Sequence, residues 1–146
     1  MKVPLAEDLG HYYMTSRSSP DSWLDKCEAL IRGHGGTILA RGFGQTEQGA
    51  AYMLGFQLAG DKYKIVWPVL KTRRGQEAAR VQAATLMYHD IKAKLMASLV
   101  LGVRTAFFAY LLLPDGRVAS QVATPDLAAT LPDLNRPLLT DGKVQP

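Results

Sequence analysis

The sequence predicts an α+β fold: an antiparallel sheet of three to four strands packed against one long helix, with shorter helices flanking it. Three observations predict it. The run from Gly75 to Gly102 places apolar residues at Ala84, Met87, Tyr88, Ile91, Leu95, Ser98 and Leu99, the three-and-four spacing of a helix with one buried stripe. Just upstream, Ala51–Ala59 alternates Tyr52, Leu54, Phe56 and Leu58, and Lys62–Leu70 alternates Tyr63, Ile65, Trp67 and Val69. That period of two marks half-buried strands. Between these segments Gly60-Asp61 reads as a tight hairpin turn, which makes the pair antiparallel.

In chain order, residues 1–10 are expected to be a loose lead-in, and His11–Thr15 a short edge strand. The first helix opens with Ser19 as N-cap, Pro20 at the first helical position and Asp21 in the first turn. Its apolar stripe is Trp23, Leu24, Cys27, Leu30 and Ile31, and Gly33, Gly35 and Gly36 end it. Thr37–Phe43 is the first strand, and a polar, glycine-rich turn leads from it to the second. Pro68 removes a ladder donor, so the third strand is expected at an edge or unpaired at its end. Glu77 suits the positive end of the long helix and Gly102 its stop. Thr105–Leu112 is expected to be another helical segment with Thr105 as its cap, Leu113–Gly116 a turn, and Val118–Val122 one turn of helix. Thr124-Pro125-Asp126 repeats the cap-then-proline start, predicting a short helix to about Leu131. Residues 1–131 thus read as a single α+β domain and 132–146 as a proline-rich C-terminal tail.

Composition bounds the class. A chain of 146 residues with 47% hydrophobic and 21% charged residues supports one packed domain and is unlike a disordered one. The net charge of +4 is compatible with a polyanionic partner. The single cysteine, Cys27, excludes an internal disulfide framework and agrees with a reducing cytoplasm. Leu95–Leu113 has the length of a membrane span, but Arg104 in its middle costs about 2.5–3.5 kcal/mol, so two packed core segments are expected instead. The N-terminus has no apolar segment of a signal peptide.

Residues that carry chemistry point to binding. Lys62, Lys64, Lys71, Arg73, Arg74 and Arg80 gather between the third strand and the long helix, where the helix N-terminus adds free N–H groups and a positive dipole end. That pattern suits phosphate. A solvated loop whose cations only keep the chain soluble is the alternative. No catalytic constellation accompanies it. His89 and Asp90 are adjacent in the helix and splay about 100° apart. His11 and His34 lie in loops without ligand-spaced partners, so no metal site is expected. Cys27 belongs to an apolar stripe, and Ser98 has no Gly-x-Ser-x-Gly elbow. No phosphate loop ends in Gly-Lys-Ser/Thr. Tyr52, Phe56, Tyr63 and Trp67 have the makings of a base-stacking platform. The same face must receive the long helix, so they are expected in the core.

The order of helix, three antiparallel strands and helix over residues 19–100 is similar to the double-stranded RNA-binding domain, whose closing helix also begins with basic residues, here Lys71, Arg73, Arg74 and Arg80. The sheet-plus-long-helix plan also resembles the core of Rad52-type annealing proteins. Over most of the chain, the succession KYKIVWPV, a basic loop, YHDIKAKLMASLVLG and AYLLLPDGR resembles small uncharacterised proteins of bacteriophages and mobile elements, with Ile91–Leu95 and Leu113–Arg117 as the recurring stretches. The expectation is a cytoplasmic, non-enzymatic accessory protein of a phage or mobile element that binds DNA or RNA, without a cofactor. The alternative is a protein-binding module that inhibits or recruits a host or defence protein.

Overall fold

The computed structural model describes residues 3–9, 17–47, 49–73, 75–122, 139–140 and 143–144. Its architecture is α+β. Helix α1 (Pro20–Gly33) leads into strands β1 (Thr37–Thr46), β2 (Gly49–Leu58) and β3 (Asp61–Pro68), and these into the long helix α2 (Gln76–Leu101). The strands form one antiparallel sheet in the order β1-β2-β3. Short helices α3 (Val103–Ala106) and α4 (Ala119–Val122) follow, and Leu139–Thr140 (β4) pairs with Lys143–Val144 (β5). The expected strand at His11–Thr15 and helix at Thr124–Leu131 lie outside the described residues.

Register decides what each face of the sheet carries. Arg41 pairs with Leu54 and Phe43 with Tyr52, while Leu54 pairs with Ile65 and Phe56 with Tyr63. One face is therefore aromatic and aliphatic, and both long helices pack on it: Leu54, Phe56, Ile65, Met87, Ile91 and Cys27 are all fully buried. Phe56, Tyr63 and Phe107 meet with ring centroids 5.5–5.6 Å apart. The aromatics proposed as alternatives between core and stacking platform are thus core, with Trp67 half-buried at the rim. The other face carries Ala40, Gly42 and Gly44 on β1, Ala51, Met53 and Gly55 on β2, and Lys62, Lys64 and Val66 on β3.

Local chemistry explains the boundaries. The Ser19 hydroxyl accepts from the Ser22 N–H at 3.1 Å and starts α1, as the Ser-Pro pair predicts. Gly36 ends that unit because a Cβ there would stand 2.5 Å from Ile31 Cγ2. Gly102 sits at φ +87°, where L side chains are disfavoured, and stops α2. Pro68 ends β3, which is an edge strand of the three-stranded sheet.

Four expectations need correction. The hairpin between β2 and β3 turns on Ala59 and Gly60, both at positive φ, and Asp61 already pairs with Leu58. Two consecutive left-handed residues are what the right-handed strand twist requires, and they displace the turn by one position. Residues 105–112 are not one helix. Gly102 starts α3 at Val103, a 3-10 turn spans Phe108–Tyr110, and Leu111 then bridges to Tyr63 while the Leu112 N–H donates to Lys62 O at 2.8 Å. That extended piece shields part of the β3 edge. The N-terminus is ordered as a 3-10 turn at Ala6–Leu9, with Ala6 fully buried. Finally, the buried stripe of α2 stops at Leu95, and Leu99 is exposed. At 26 residues the helix is about 39 Å long. The eight residues of β3 reach only about 26 Å, and the last turn of the helix leaves Leu99, Val100 and Leu101 exposed.

Candidate nucleic-acid interface

The predicted basic residues fall into three places. Lys62 and Lys64 project from β3 on the small-residue face of the sheet, Lys62 exposed and Lys64 half-buried. Lys71 and Arg73 are exposed on the connection from β3 to α2. Arg80, half-buried on the first turns of α2, lies on the opposite side of the sheet with its guanidinium 4.2 Å from the centre of the Phe43 ring. Arg74 lies outside the described residues. At about 3.3 Å per residue, Lys62 and Lys71 stand roughly 25–30 Å apart. Lys71 and Arg73 follow the end of the strand that carries Lys62 and Lys64, and Arg80 is on the other side of the sheet.

The connection is not the open phosphate cradle that the sequence implies. The Glu7 carboxylate accepts the backbone N–H of Arg73 at 3.0 Å and the hydroxyl of Thr72. It is delivered there by the N-terminal 3-10 turn, which is held by the Ala6 N–H on Lys71 O at 2.8 Å and by the buried Gln82 amide, donating to Ala6 O at 2.7 Å. A carboxylate from the chain itself therefore occupies the backbone donor ahead of α2. The helix begins at Gly75 with no side-chain cap. No pattern in the sequence announced this partner: Glu7 and Thr72 are 65 residues apart, and only the fold brings them together.

Five basic side chains are engaged with carboxylates: Arg32 with Glu28, Lys94 with Asp90, Arg104 with Asp61, Arg117 with Asp115, and Arg41 with Asp21, Asp25 and Glu28 together. These engagements have visible electrostatic consequences. Hydrogen bonding to Arg104 holds the Asp61 carboxyl below its ordinary range, and Arg117 does the same for Asp115. By contrast, Lys62, Lys64, Lys71, Arg73 and Arg80 form no salt bridge among the described residues.

The face that bears Lys62 and Lys64 is itself hollow. A cavity of about 450 Å³ runs from Lys64 and Val66 to Tyr110, Val118 and Gln121. A second, of about 330 Å³, runs from the same two residues across Met53 and Ala51 to Gly42 and Gly44. Glycine and alanine make its floor low and leave the backbone of the sheet accessible there. This feature was present in the sequence as small residues alternating with the core positions.

Among the described residues, no three His, Cys, Asp or Glu side chains come together to hold a metal ion. No described helix is long and apolar enough to cross a membrane. Comparison with protein-family models, with curated proteins and with solved structures returns no match.

Proposed function

We propose that this chain is a non-enzymatic nucleic-acid-binding accessory protein that grips phosphates with Lys62, Lys64, Lys71 and Arg73; Arg74 follows in sequence, and Arg80, over Phe43 on the other side of the sheet, is left out of this surface. The observation that carries the reading is that four cations within twelve residues, Lys62, Lys64, Lys71 and Arg73, enter no salt bridge among the described residues, as a polyanion-binding surface needs. The span from Lys62 to Lys71 equals about seven to nine base-pair steps of 3.4 Å, so one short segment of nucleic acid is long enough to reach both. The contacts this reading assigns are to the backbone, since Tyr52, Phe56 and Tyr63 are buried in the core and not free to stack on bases. The proposal extends to a phage or mobile-element protein acting in the host cytoplasm, the setting expected from the Ile91–Leu95 and Leu113–Arg117 stretches.

Two paired reversals test the reading by fluorescence anisotropy on labelled duplex and single-stranded oligonucleotides. Lys62→Glu/Lys64→Glu and Lys71→Glu/Arg73→Glu are each expected to weaken binding at least tenfold. Arg117→Glu, which removes a cation already matched by Asp115, is expected to change it less than threefold. Equal effects from all three would assign the affinity to net charge alone and contradict the proposed surface.

A further inference from the structure

The C-terminal end of α2 turns an apolar stripe to solvent. Met96, Leu99 and Val100 are 65%, 73% and 85% exposed, and their spacing of three and four puts them on one side of the helix, away from Ile91 and Leu95. Single exposed apolar residues are ordinary, but several in succession mark an interaction surface.

We propose that this stripe is a homodimer interface, in which the α2 helices of two copies pack antiparallel about a two-fold axis at Met96. Two features fit a second copy of the same chain. The first is shape: around that axis Leu99 of each copy lies over Ala93 of the other, a large side chain over a small exposed one. The second is charge. The last turn of α2 contains no basic residue to balance its negative dipole end. Lys92, exposed and in no salt bridge among the described residues, comes to lie over Val100 of the opposite helix and supplies that charge. At roughly 150 Å² for a large apolar side chain, the three stripe residues offer about 330 Å² per copy, so the dimer is a weak one, populated at micromolar concentration and above.

The test is the mass of the full chain in solution by light scattering, together with cysteine cross-linking. The wild type is expected at twice its 16.0 kDa. Leu99→Lys/Val100→Lys should raise the dimer dissociation constant at least a hundredfold with the helical circular dichroism unchanged. Met96→Cys should oxidise to a covalent dimer. Lys92→Cys should not, because its mate is eight residues away along the helix, about 12 Å and beyond disulfide reach. Cys27 is buried and does not compete. A chain that stays monomeric at 100 μM overturns the proposal. So does a dimer indifferent to the lysines, equal cross-linking at positions 92 and 96, or a monomer that binds neutral phosphatidylcholine vesicles through the stripe.

Discussion

Arg41 is the residue whose removal says most about how this fold is held. It stands on β1, and its guanidinium reaches Glu28 Oε2 at 2.5 Å, Asp25 Oδ1 at 2.6 Å and Asp21 Oδ1 at 3.3 Å, all on α1. Helix α1 leans mainly on α2, so this clamp is its chief tie to the sheet's first edge. The three interactions are not equal. Asp21 and Asp25 are 86% and 72% exposed, and screened pairs of that kind contribute about 0.2–0.5 kcal/mol each. Glu28 is only 12% exposed and accepts a short charged hydrogen bond, worth about 1.5–2 kcal/mol. Arg32 remains within 3.3 Å of Glu28, which keeps that carboxylate from being orphaned and holds the cost below that of a broken buried pair. Arg41→Met, which preserves the apolar stem, should therefore destabilise the protein by about 2–3 kcal/mol and lower Tm by roughly 5–10 °C. Urea unfolding followed by circular dichroism measures it. Adding 1 M salt should narrow the gap between variant and wild type, because only the wild type has the clamp to lose. A Tm within 1–2 °C of wild type would refute the reasoning.

Other consequences can be checked in the same way. Burial pushes the Cys27 thiol from 9.0 up to about 12, against the opposing pull of Arg41. The folded state thus binds that proton more tightly than the unfolded state. The resulting stability is fully present below pH 9 and is lost as pH rises toward 12, at up to about 1.4 kcal/mol per pH unit. Cys27→Ala should show a shallower alkaline loss in urea titrations between pH 9 and 10.5; parallel curves would contradict it. Tyr110→Phe removes a 2.8 Å hydrogen bond to Asp90 and should cost about 1 kcal/mol in the same assay, with no cost if that bond is idle. Ala59→Asn places a residue tolerant of the left-handed region at φ +51° and should raise stability by about 0.5–1 kcal/mol; a loss would mean the turn is not the one described.

Much of the fold was legible because its signals are local. The Ser19-Pro20 start, the alternation in β2 and β3 and the stop at Gly102 each depend on a few neighbouring residues. What was missed depends on distant partners. Leu99 continues the apolar period of α2, and nothing local reveals that it is left exposed. Val81 to Thr85 are buried on every side, which no periodicity conveys. Leu111 and Leu112 look helical in isolation and become extended because the β3 edge offers them a bridge and a hydrogen bond. The candidate site rests on charge composition, which singles out Lys62, Lys64, Lys71 and Arg73 in the sequence; that they enter no salt bridge among the described residues is visible only in the fold. Glu7 was overlooked because a carboxylate in a presumed loose lead-in carries no signal of its destination.

The claim that these unmatched cations grip phosphates is tested most directly by the salt dependence of binding. The measurement is the affinity for a 20-nucleotide duplex and its single strand, taken from 25 to 300 mM salt. Three or four phosphate contacts predict a log–log slope of about −2 to −4, since each contributes roughly 0.7–0.9. Lys71→Glu/Arg73→Glu should bring the slope about two units closer to zero. No measurable binding to either oligonucleotide at 25 mM salt, or a slope near zero in the wild type, would contradict the account.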